Sequence, residues 1–89
     1  MKINSNYKLR EIAGEKMVVI KGPIGVDLTK VVMLNSSAEL LWSSLQGKDF
    51  LREEAEDLLI RKYGIEKSQA ALDAGEWIIS MVKVGLIEY

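Results

Sequence analysis

A chain of 89 residues that is 48% hydrophobic can bury one modest core but is too short for a large enclosed substrate cavity, so it reads as a single domain, 1–89. It has no cysteine and no histidine, which removes disulfides, thiolate nucleophiles, zinc ribbons and the usual proton shuttle. A net charge of −1 excludes the electropositive footprint of a generic phosphate binder, and the sequence contains neither a signal-peptide core nor an apolar run near the roughly 18 residues of a membrane span, so a cytoplasmic location is expected.

Tyr7 to Ile12 and Lys16 to Lys21 are rich in Val, Ile and Tyr and read as two strands of an antiparallel hairpin. Between them lies Ala13-Gly14-Glu15, where glycine supplies the positive φ of a tight turn. Gly22-Pro23-Ile24-Gly25-Val26-Asp27 reads as a loop, since proline lacks the donor a central strand needs. A third strand, Lys30 to Leu34, pairs back. Its Val31, Val32, Met33 and Leu34 put apolar side chains on both faces of the pleat, because neighbours along a strand point opposite ways. One face serves the core. The other needs a second cover, from a helix of this chain or from another molecule.

Asn35, Ser36 and Ser37 can each cap a helix, and Ser36 with Glu39 has capping-box spacing. Ala38, Leu41, Trp42 and Leu45 give this first helix one apolar stripe, and Gly47 ends it. Asp49 is expected to cap a second helix that turns Leu51, Ala55, Leu58 and Leu59 inward and ends at Gly64. A third helix should run from Ser68 to Val84, stopped by Gly85, with Leu86 to Tyr89 as an extended tail.

The third helix has an unusual pattern. Asp73, Glu76, Ser80 and Lys83 share one narrow polar sector. Ala71, Gly75, Ile78 and Val82 centre the apolar arc, with Ala70, Ala74, Trp77, Met81 and Val84 on one shoulder and Leu72 and Ile79 on the other. Two readings compete. Either the whole arc is wedged into the core, or the shoulder carrying Trp77 and Met81 lines an open groove beside the third strand, a role for which aromatic residues and Met are suited.

Enzymatic chemistry finds little support. The densest carboxylate cluster, Glu53, Glu54, Glu56 and Asp57, reads as a solvated helix face, and Gly22 and Gly25 lack the spacing of a phosphate-binding fingerprint. Charge is unevenly spread. Lys2, Lys8, Arg10, Lys16, Lys21 and Lys30 stand against only Glu11, Glu15 and Asp27 in the first part of the chain, and acids dominate the remainder, a split that reads first as a solvated surface and second as a basic sheet for an acidic peptide partner. The element order also fits a winged helix-turn-helix, but between Ser68 and Val84 the only cation is Lys83, which disfavours DNA. An edge strand beside a helix with spare apolar area instead describes strand addition by an extended peptide.

The residues also carry a family likeness. Leu34-Asn35 opens a helix, Leu41-Trp42 lies within it, Gly47 closes it and Glu53-Glu54-Ala55 opens the next. The final helix ends Val84-Gly85-Leu86-Ile87-Glu88. In this order and spacing, most clearly from Val31 to Glu88, they resemble the PqqD family, the small peptide-binding proteins of pyrroloquinoline quinone (PQQ) biosynthesis and related peptide-modifying pathways.

The resemblance implies an α+β fold of winged helix-turn-helix type, a three-stranded antiparallel sheet followed by three helices. It implies a recognition element for ribosomally made, post-translationally modified peptides (RiPPs), a non-catalytic chaperone with no cofactor or metal of its own. Such a chaperone takes the leader of a precursor peptide and presents the core to a modifying enzyme, often a radical S-adenosylmethionine (SAM) protein. The leader would lie against the third strand and third helix, with Val31, Val32 and Met33 for backbone pairing, Trp77, Ile78 and Met81 for apolar contact, and Lys30 for a charge contact. Asp49 to Leu51 departs from the family, where a threonine cap is common. A winged-helix DNA-binding domain and a structural dimer through the same edge strand are the competing readings.

Overall fold

The computed structural model describes residues 1–21 and 29–89; the loop expected at Gly22 to Asp27 lies outside the described residues. In chain order the elements are β1 (Lys2–Ile3), β2 (Leu9–Ile12), β3 (Glu15–Lys21), β4 (Thr29–Leu34), α1 (Ser36–Leu45), α2 (Arg52–Tyr63), α3 (Lys67–Lys83) and β5 (Ile87–Glu88). The architecture is α+β: a three-stranded antiparallel sheet in the order β2-β3-β4, followed by three helices. The third strand expected from sequence is β4, because a short strand at the N-terminus, β1, pairs antiparallel with β5. That pairing was not foreseen: two-residue strands have no periodicity to read.

A two-residue turn, Ala13-Gly14, joins β2 to β3, with Ile12 opposite Glu15. Both turn residues have positive φ, 53° and 82°, the conformation whose twist matches a hairpin. A turn of this kind closes on a pair that exchanges both backbone hydrogen bonds, and such pairs alternate with open ones along an antiparallel ladder. From Ile12–Glu15 the alternation aims the backbone groups of Lys16, Val18 and Ile20 at β4. Their partners there are Leu34, Val32 and Lys30. The intervening residues Val31 and Met33 therefore turn their N–H and C=O groups outward, along an edge with no strand beside it among the described residues.

The side chains alternate too. Val18 and Leu34 are buried and Val32 packs partly against the core, whereas Val31 and Met33 are each 52% exposed. The expected two-faced strand is thus present, with one face in the core and the other uncovered.

Asn35 resolves the ambiguous cap of α1: its side chain accepts from the Ala38 N–H at 2.9 Å, while Ser36 is the first helical residue. Leu41, Trp42 and Leu45 are buried as the stripe requires. The expected cap of α2 is overturned. Leu51 stands at the N-cap with no side-chain hydrogen bond, and it is exposed rather than turned inward. Asp49 instead takes the Met1 ammonium at 2.8 Å, and that cation holds its carboxyl below the ordinary range. The same ammonium reaches the Phe50 carbonyl at 2.9 Å, so the N-terminal segment is laced to the α1–α2 loop. Phe50 sits fully in the core. Glu56 also departs from the solvated face expected of its cluster: it is 6% exposed and its carboxylate is paired with Arg52 at 3.0 Å, which offsets the cost of burying the charge.

On α3 the buried residues are Ala70, Ala74, Trp77, Ile78 and Met81. The buried face is rotated toward the Trp77 shoulder, because α3 packs chiefly on α2 and small residues at 70 and 74 allow close approach. Leu72 (55% exposed) and Ile79 (65%) carry the apolar surplus, away from the core. Trp77 packs on Phe50 with ring centroids 6.4 Å apart.

Three outcomes are expected. Amide hydrogen exchange should be slow at Val32 and Leu34 and fast at Val31 and Met33; the reverse would overturn the ladder assignment. Alanine is strained at a positive φ, so Ala13→Asn should raise stability in urea unfolding by roughly 0.5–1 kcal/mol, and a loss would contradict the turn assignment. Trp77→Ala should cost about 3 kcal/mol or more, whereas a cost below about 1 kcal/mol would place Trp77 outside the core.

Candidate functional site

Between β4 and α3 the molecule is open. α3 leans on α2 rather than on β4, and the space left is a groove of about 680 Å³, a size that holds several side chains of a ligand. Val32, Met33 and Leu34 form one wall. Ser37, Ala38 and Leu41 of α1, with Leu59 of α2, line it between the walls. The opposite wall is α3, with Trp77 and Met81 toward the core and Asp73, Glu76 and Ser80 along the rim.

The local causes are legible in the chain. Asn35 ends β4 and caps α1, so strand edge and helix start are covalently adjacent and the groove is continuous past the cap. The apolar wall exists because Trp77 and Met81 lie four residues apart, on one side of α3. The rim exists because Asp73, Glu76 and Ser80 occupy the neighbouring sector of the same helix.

The expected site residues are divided by this geometry. Val32, Met33, Trp77 and Met81 come together around the groove. Lys30, Val31 and Ile78 do not line it: Lys30 and Val31 are exposed farther along β4, and Ile78 is buried on the core side of α3. Backbone pairing through Val32 needs correction, because its N–H and C=O are turned toward Val18 of β3 by the ladder; Val32 contributes its side chain instead. Val31 and Met33 hold the outward backbone groups.

Sequence reasoning missed Ala38, Leu41, Asp73, Glu76 and Ser80 as lining residues. The three polar ones share a face with Trp77 at helical spacing, a signal that reads equally as a solvated sector until β4 is in place. The groove is acidic: Asp73 and Glu76 line it, with no Lys or Arg lining it among the described residues. Neither carboxylate is in a salt bridge among the described residues; Asp73 accepts from Gln69 Nε2 at 2.8 Å. The described residues contain no group of acidic side chains arranged to hold a metal ion, and no described helix is long and apolar enough to cross a membrane.

The family model of coenzyme PQQ synthesis protein D (PqqD) matches residues 17–87. A search of curated proteins and a search of solved structures return no match. The matched span runs from β3 to β5 and includes both walls of the groove, and the chain belongs to the PqqD family, whose members are non-catalytic peptide-binding accessories of coenzyme PQQ synthesis.

Proposed function

We propose that this protein, acting as one cytoplasmic domain, captures the leader of a ribosomally made precursor peptide as an added strand on β4. It presents the remainder of that peptide to a modifying enzyme of the radical SAM class and contributes no catalytic group. The observation that carries this reading is the outward backbone of Val31 and Met33 beside a groove walled by Trp77 and Met81.

The two edges of the sheet differ in a way that supports it. β2 reads Leu9-Arg10-Glu11-Ile12, two charges in four residues, whereas β4 carries only Lys30. Charges blunt an edge against unwanted pairing, and an unprotected edge is a liability unless something uses it. A guest strand on β4 gains main-chain hydrogen bonds, and its alternate side chains enter the groove. Met81 and Trp77 give those side chains an apolar wall without requiring one defined sequence. The carboxylates on α3 oppose the alternative of a DNA-recognition helix, since they would face phosphates.

The test is a titration with the leader of a precursor encoded beside this protein, read by backbone chemical shifts. Shifts should concentrate at Val31 to Leu34 and on the groove side of α3. Met33→Pro removes an outward donor while leaving the β3 ladder intact, and should weaken leader binding about tenfold, the loss of one main-chain hydrogen bond. Val32→Pro should destabilise the sheet instead. Unchanged affinity in a folded Met33→Pro variant, or retardation of duplex DNA that falls steeply with salt, would contradict the reading. Self-association lost in Met33→Pro without leader binding would make β4 a dimer edge.

A further inference from the structure

The charge of the groove places a demand on its occupant. Asp73 and Glu76 stand on the α3 wall, no lysine or arginine lines the groove, and neither carboxylate is neutralised by a salt bridge among the described residues. The nearest cation on β4, Lys30, is exposed and lies outside the lining. A second feature of the same wall is independent of charge. Trp77 is 9% exposed, and its indole N–H, itself buried, has no acceptor among the described residues. A buried donor without a partner is costly, so this wall carries an unmet demand for an acceptor.

We infer that the groove selects extended peptides in which a lysine or arginine is set among the apolar side chains facing α3, its charge reaching Asp73 and Glu76. This rests on the strand-docking reading and specifies the chemistry of the guest. A strand paired through Val31 and Met33 sends every second side chain across the groove. The apolar members of that set meet Met81 and Trp77, and the basic member meets the rim. Its aliphatic stem packs along the apolar wall while its charged head stays near the carboxylates and water. An acidic residue in the same place would face two like charges. The carboxylates thus reject wrong peptides as well as favouring right ones, which is how specificity arises when the main-chain contribution is the same for every sequence.

The experiment uses three short acetylated and amidated peptides that alternate threonine with apolar residues and differ only at one central groove-facing position, which is Lys, Gln or Glu. Binding to the full chain is measured by fluorescence anisotropy at low and high salt. The Lys peptide should bind roughly fivefold more tightly than the Glu peptide, with Gln between them, the size expected of a partly solvated pairing. The difference should shrink as salt rises. It should also fall below about twofold in the double variant Asp73→Asn/Glu76→Gln, which keeps the side-chain shapes and removes both charges. Equal binding of all three peptides would overturn the charge preference and leave strand docking standing. A preference for Glu, or a Lys preference that survives the double variant, would also overturn it. Absence of binding by all three would refute this inference and the docking reading together.

Discussion

Pairing of β4 on one side only is the constraint from which the rest follows. Its inward groups, at Val32 and Leu34, bind it to β3, and the side chains of those two residues anchor it in the core. Its outward groups, at Val31 and Met33, have no strand beside them among the described residues. An added strand satisfies them only if space exists next to the edge, and that space exists because α3, with Ala70 and Ala74 buried, packs on α2 instead of closing on β4. Asn35 fixes the geometry at the end of the groove by ending the strand and capping α1 at the same point.

The core and the groove draw on the same side chains. Trp77 and Met81 are core residues that also form a groove wall, and Trp77 is held by Phe50 from behind. Phe50 in turn is fixed by the N-terminal segment: the Met1 carbonyl accepts from its N–H at 2.8 Å, and the Met1 ammonium binds both its carbonyl and Asp49. β1, which follows Met1, pairs with β5, which follows α3. The wall is therefore braced by both ends of the chain. A groove supported in this way is preformed, and a guest strand would spend little binding energy on ordering it.

Much of the fold was legible because its signals are local. Ala13-Gly14, Gly47, Gly64 and Gly85 mark turns and helix ends, and each adopts positive φ; the stripe Leu41, Trp42, Leu45 is buried as its spacing requires. Non-local relations were not legible. Nothing near Lys2 indicates that Glu88 lies opposite it. Phe50 is a lone aromatic between helices, and only the folded chain shows what it fills. Asp49 has the right residue type for a helix cap, yet a full positive charge from Met1 competes for the same carboxylate. For α3 the width of the apolar arc was readable but its direction was not, since direction depends on where α2 sits. The surplus lies at Leu72 and Ile79, and the narrow polar sector lines the groove through Asp73, Glu76 and Ser80.

The most direct measurement of the central claim is a set of intermolecular nuclear Overhauser contacts between this protein and a bound precursor leader. Cross-strand contacts from the leader backbone to Val31 and Met33, with side-chain contacts to Trp77 and Met81, are the expected result. Contacts confined to the outer sheet face at Ile12 and Val19, with none along the β4 edge, would contradict the account.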